Sequence, residues 1–130
     1  FTAKEEEFLS TNEGCRVATV TQYNTPHVTP VSFLFKEQKF YFATDYDTTK
    51  YKNLKQNPKI ALVVDVYSSV NNKAVIIHGN VKFIEKGRKF KELYDVFYRK
   101  FEWVRKEPWK EGEAPFVQVK PYKKISWGIG

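Results

Sequence analysis

Hydrophobic and polar positions along this chain alternate in short runs, and each run predicts an element. Thr2 to Leu9 has capping-box spacing at Thr2 and Glu5 and an apolar side at Phe8 and Leu9, which predicts a short helix. Cys15 to Thr21 is β-branched and nearly free of charge, so a strand is expected. Gln22 to Pro26 follows as a turn. His27 to Phe35 reads as a second strand, with Pro30 inside it. A central strand accepts proline poorly, so an edge or a bulge is expected there. Phe40 to Thr44 reads as a third strand. Thr48 to Gln56 reads as a short helix stopped by Asn57-Pro58.

Ile60 to Val66 is apolar at every position but one, which predicts a strand buried on both faces. Ala74 to Ile84 reads as a long strand with a bulge at Gly79. Gly87 opens the clearest amphipathic helix. Phe90, Leu93, Tyr94, Phe97, Tyr98 and Phe101 fall on one helical face. Glu102 to Pro115 reads as a loop, and Phe116–Val119 and Lys124–Trp127 as two short final strands. No repeat or linker divides the 130 residues, so one domain over 1–130 is expected. Short strands in this number close most readily into a barrel.

Composition narrows the picture. Aromatic residues are abundant, with 11 Phe, 8 Tyr and 3 Trp. Rings in such number fill cores and also line flat-ligand pockets and interfaces. The net charge of +7 favours anionic partners in general. The single cysteine excludes an internal disulfide and a cysteine-rich metal site. A cytoplasmic, reducing setting fits that usage. No apolar run reaches membrane-spanning length, and no signal-peptide pattern opens the chain.

The most informative stretch runs from Ala43 to Leu54. A strand ends, a turn rich in acids and hydroxyls follows, and a helix begins. A helix cap at Asp47 or Thr48 accounts for the acid and the hydroxyls. It leaves Lys50 and Lys52 unexplained, because the helix dipole disfavours positive charge in the first turn. A bound anion would reverse that penalty: amide groups, threonine hydroxyls and a lysine ammonium together suit a phosphate. Pro30 breaks the ladder of its strand and frees backbone groups that a flat heterocycle could use, although on this stretch alone a bare edge strand is the more ordinary explanation. His27 and His78 have no Asp, Cys or Ser at catalytic spacing. No glycine-rich nucleotide fingerprint is present. The basic face of the long helix is interrupted by Glu92 and Asp95, which argues for a solvated face rather than a nucleic-acid site. Trp103, Trp109 and Trp127 have no assigned place.

Taken in order, these segments resemble the pyridoxamine 5′-phosphate oxidase-like, FMN-binding split-barrel family. The likeness is carried by Arg16-Val17-Ala18-Thr19-Val20, Pro26 to Phe33, Phe40 to Thr44, Thr49 to Leu54, Asn57 to Leu62 and Ala74 to Gly79. It implies a mainly β fold: a six- to seven-stranded antiparallel split barrel of Greek-key character with two or three flanking helices. It implies a homodimer with FMN at the interface. The flavin ring would lie along Thr29, Pro30, Val31 and Ser32, and the phosphate at Thr44, Thr49 and Lys50. Trp127 and Arg16 are further candidate contacts. The phosphate assignment agrees with the independent anion argument.

The chain also departs from the true oxidase. Thr49 stands where the oxidase has an arginine, and the ending Ser126-Trp127-Gly128-Ile129-Gly130 lacks its Arg-x-His pair. Pyridoxamine phosphate is therefore not the expected substrate. The expected function is an FMN-dependent oxidoreductase acting on a small organic molecule, with no protein acid or base assigned. A deazaflavin-dependent reductase and a non-catalytic flavin- or nucleic-acid-binding module are the alternatives.

Overall fold

Residues 1–130 are described by a computed structural model. Helix α1 (Ala3–Thr11) opens on the capping box: Thr2 Oγ1 accepts from the Glu5 amide, and the Glu5 carboxylate accepts from the Thr2 amide. Seven antiparallel strands follow, with three helices between them. In chain order they are β1 (Gly14–Val20), β2 (Pro26–Ser32), β3 (Leu34–Lys36), β4 (Lys39–Ala43), α2 (Thr49–Gln56), β5 (Lys59–Val66), β6 (Lys73–Ile84), α3 (Gly87–Lys100), α4 (Glu102–Lys106) and β7 (Phe116–Trp127). The strands make one curled sheet in the order β2-β1-β5-β6-β7-β4-β3, the mainly β split barrel that the sequence implies.

Four expectations are corrected. The predicted second strand is two strands. The chain turns inward at Phe33, which has no exposed surface, and β3 then pairs with β4 through a tight hairpin. Its turn residues, Glu37 and Gln38, both have positive φ (53° and 67°), the conformation a two-residue hairpin of matching twist needs. The segment after α3 is not all loop: Glu102–Lys106 forms the short α4, anchored by the buried Val104. That brings the helices to four, one more than expected. The two final strands are one strand, β7, which passes through Pro121. A register shift at His78/Gly79 leaves Tyr122 as the extra residue, so the irregularity expected at Gly79 is shared with β7.

The fourth correction concerns β5. Ile60, Leu62 and Val64 are buried, but Ala61, Val63 and Asp65 on the other face are only half-buried. The cross-strand rows on that outer face are Pro30–Arg16–Val63–Ile76–Ile125 and Val28–Ala18–Ala61–His78–Lys123. A broad, largely apolar sheet face is thus open to solvent in the single chain.

Two cores hold the fold. Val17, Leu62, Val64, Ile77, Phe33, Phe40 and Phe42 fill the barrel. Tyr41 points the other way, into a second cluster where Phe90, Leu93 and Phe97 of α3 pack on Phe116 and Val104. The 3.6-residue stripe of α3 therefore covers the outside of β4. No helix is long and apolar enough to cross a membrane.

Gly79 is required by close approach. A Cβ there would lie 2.6 Å from Val119 Cγ1 and 2.9 Å from the Lys120 carbonyl oxygen. The backbone of β7 cannot move away without breaking its pairing with β6. Gly79→Ala should cost about 1–3 kcal/mol, the range for overpacking, seen as a lower urea midpoint at unchanged m-value.

Candidate functional site

The site is built where the β2 edge meets the β4–α2 junction. Strand β2 pairs only with β1, so one row of its backbone polar groups has no strand partner. Pro30 sits opposite Arg16 on this edge, where its missing amide removes no bond from the outer side. Pro30, Val31 and Ser32 form one side of a cleft of about 330 Å³. Next to Pro30, the Thr29 hydroxyl is buried and has no hydrogen-bond partner.

The polar end of the cleft comes from Thr44, Asp45, Thr48 and Lys50. Thr44 is buried at the end of β4, and its amide donates to the Pro115 carbonyl at 3.3 Å. Thr48 is the N-cap of α2: its hydroxyl accepts from the Tyr51 amide at 3.2 Å and donates to the Asp45 carbonyl at 3.0 Å. The hydroxyls of Thr44 and Thr48 are 2.7 Å apart. The amides of Thr49 and Lys50 open the helix, where no intrahelical acceptor exists.

Lys50 is half-buried and forms no ion pair. Burial pulls its pKa below the usual lysine value, and the Asp45 charge recovers only part of the loss. The first turn of α2 contains no acid, so this end of the helix concentrates positive potential. Such an arrangement favours an anion.

The opposite wall is aromatic. Trp103 on α4 donates its indole N–H to Ser32 Oγ at 3.0 Å. Trp109 donates its indole N–H to the Ala114 carbonyl at 3.1 Å, and its amide donates to the Tyr94 hydroxyl at 3.2 Å. The two indoles are parallel within 4°, with centroids 5.8 Å apart. Glu107 and Ala114 complete this wall.

Of the residues singled out in the sequence, Pro30, Val31, Ser32, Thr44 and Lys50 line this one cleft. Thr49 begins α2, but its side chain is exposed and does not line it. Thr29 lies beside it with the unpartnered hydroxyl. Arg16 and Trp127 lie elsewhere in the single chain. Arg16 is on the outer sheet face, 3.5 Å from Asp65, and Trp127 ends β7 opposite Ala74, 47% exposed.

Trp103, Trp109 and Thr48 are lining residues that sequence reasoning did not assign to a site. The tryptophans stood out only by residue type, because neither follows a helical or strand period. Neither histidine lines the cleft: His78 borders a separate cavity of about 220 Å³ with Tyr122. Burial pushes the Cys15 thiol up to about 12, so it is not a nucleophile at neutral pH.

Comparisons with known proteins agree with this fold. The chain is 27% identical, over 99% of its own length and 84% of the relative's, to the 5a,11a-dehydrotetracycline/5a,11a-dehydrooxytetracycline reductase of Streptomyces rimosus. The structure resembles the haem storage protein of Vibrio cholerae with a TM-score of 0.84, at 13% identity over 98% of this chain and 94% of that one. It resembles an FAD-binding protein of Mesorhizobium loti with a TM-score of 0.77, at 18% identity over 97% and 94%. The family described as pyridoxamine 5′-phosphate oxidase matches residues 1–123. With nearly the whole length matched and the split barrel in place, this chain belongs to the pyridoxamine 5′-phosphate oxidase family.

Proposed function

We propose that the chain binds FMN in this cleft and works as a homodimeric oxidoreductase on a small organic molecule. One observation carries the reading. The half-buried Lys50 ammonium without an ion pair, the Thr44 and Thr48 hydroxyls and the open amides of α2 converge at one end of a cleft whose side is an edge strand. A phosphate satisfies the first set, and a heterocycle with donors and acceptors along its rim satisfies the second.

Hydride or electron transfer would be supplied by the flavin ring, while the protein supplies position and electrostatics. Lys50 and α2 would hold the phosphate, and Val31 and Ser32 would border the ring. The similarity to a reductase supports redox chemistry in general, while the similarity to an FAD-binding protein is one of fold. A single anion site at the start of α2 favours FMN over FAD. The similarity to a haem storage protein is one of fold, and the residues lining the cleft include no His, Cys, Met or Tyr to ligate a haem iron. The lone, buried cysteine fits a cytoplasmic location.

Purified protein should carry the visible absorption of an oxidised flavin, and calorimetry should show tighter binding of FMN than of FAD. Equal or tighter FAD binding would remove the FMN assignment. A colourless protein that takes up a deazaflavin and not FMN would favour the deazaflavin reductase instead.

Dimerisation is argued from the outer sheet face. Val28 and Ile125 are 65% and 40% exposed there, among Ala18, Ala61, Val63 and Ile76. Pro30 belongs both to this face and to the cleft, so a second copy on the face would adjoin the site. Ile125→Glu places a charge in that interface. Light scattering should then report a monomer at micromolar concentration, against a dimer for the parent. A parent that is already monomeric with flavin bound would sink the interface.

A further inference from the structure

The aromatic wall is not needed to hold a phosphate. Trp109 is fixed by two hydrogen bonds and by an edge-on contact with Tyr94 at 4.9 Å. Trp103 lies parallel to it and is tethered by its only polar atom to Ser32. Yet Trp103 remains 41% exposed at the cleft. With the indole N–H already engaged, the surface it offers is ring carbon. A rigid ring held open in this way recognises another ring face at low conformational cost.

The charges of the cleft narrow the choice. Its charged lining groups are Lys50, Asp45 and Glu107. Lys50 is the one cation, and the reading above commits it to the cofactor phosphate. Glu107 sits on the aromatic side and opposes a second anion.

We propose that Trp103, backed by Trp109, is the substrate platform of this site and selects a planar ring compound that carries no negative charge. The proposal rests on the flavin reading for the nature of the reaction, but the platform exists in the chain whether or not FMN is present.

The test uses 2-naphthol as a planar neutral probe, decahydro-2-naphthol as its non-planar counterpart and 2-naphthoate as its anion. Binding is followed by calorimetry on the full chain, both with and without added FMN, and FMN loading is read separately from flavin absorbance. Failure of FMN to load thus counts against the flavin reading alone, while the probe series still decides the platform.

The parent should bind 2-naphthol in preference to both other probes. Trp103→Ala should weaken 2-naphthol binding about five- to tenfold, the worth of an aromatic pair, and lower FMN affinity by less than that, since Trp103 is tied to the ring-bordering Ser32 by one hydrogen bond. Trp103→Phe keeps a ring and gives up the Ser32 bond, so it should retain most of the affinity. Should the alanine variant fail to fold, Trp103→Leu keeps an apolar side chain without the ring and should show the same loss.

Three results would overturn the proposal. One is equal binding of the planar and saturated probes. Another is unchanged 2-naphthol binding in the alanine or leucine variant. The third is a fall in FMN affinity with probe binding intact, which would make Trp103 part of the cofactor's seat.

Discussion

Lys50→Ala should lower FMN affinity roughly ten- to hundredfold, because a hydrogen bond to a charged group is worth about 1.5–3 kcal/mol. Lys50 is half-buried without an ion pair, at the end of a cleft it shares with the Thr44 and Thr48 hydroxyls. In the unliganded chain its charge is opposed by burial and by the helix dipole. A phosphate dianion offsets both, so the loss should fall on the phosphate contact alone. Riboflavin has no phosphate, and its affinity should barely change. The fold should persist, since removing a cation from the first turn of α2 relieves an unfavourable dipole interaction. Lys55→Ala, in the last turn of the same helix, is the control and should bind FMN as the parent does. Calorimetry with the two variants and the two flavins decides the matter; a helix cap with no ligand role predicts no difference between the variants.

Glu5→Ala should destabilise the fold by about 2–3 kcal/mol, the loss of hydrogen bonds to a buried charge. The Glu5 carboxylate is 5% exposed. It accepts from Lys124 Nζ at 2.6 Å, from Ser126 Oγ at 2.5 Å and from the Thr2 amide at 2.8 Å. One side chain thereby caps α1 and fastens it to the end of β7. Burial alone would raise its pKa. The hydrogen bonds from Lys124, Ser126 and Thr2, with the Lys124 charge, outweigh burial and hold it at about 2, below the ordinary 4.5. A carboxylate with a depressed folded-state pKa stabilises the fold fully above its unfolded value, and the contribution fades as pH falls toward about 2. The gap between parent and variant urea midpoints should therefore be widest near neutral pH and narrow at pH about 3, within the linkage window. A gap that stays constant with pH would show that the charge is not what holds α1 to β7.

Those elements whose signal is local were legible in the sequence. The Thr2–Glu5 box, the stripe of α3 and the Pro30 edge strand all report on neighbours within a turn or across one strand pair, and each stands where its residues predicted, except that Tyr98 of the stripe is 43% exposed. Thr48, one of two candidate caps, is the one used, because its hydroxyl reaches the Tyr51 amide.

Elements decided at long range were not legible. Nothing near Phe33 says that the strand must break there; the burial of that ring in the barrel core does. The two short final strands expected at Phe116–Val119 and Lys124–Trp127 join through Pro121, because Gly79 stands opposite it and the register shift at Tyr122 absorbs the irregularity. Helix α4 has five residues and one buried anchor, too short for a period to show.

The same division runs through the site. Thr44, Lys50 and Pro30 to Ser32 carry a sequence signal because each sits at a strand end or a helix start. Trp103 and Trp109 reach the cleft only through the packing of α4 and the following loop on α3 and β7. Arg16 and Trp127 occupy the outer sheet face, where only a second copy could bring them to a site.

The measurement that bears most directly on the cofactor claim is an amide NMR titration of the chain with FMN and, separately, with riboflavin. FMN should move the amides of Thr44, Thr49 and Lys50 together with those of Val31 and Ser32. Riboflavin should move Val31 and Ser32 and leave the start of α2 nearly still. Shifts that gather instead around His78 and Tyr122, or an α2 response that is the same for both flavins, would contradict a phosphate seat at Lys50 and with it the proposed function.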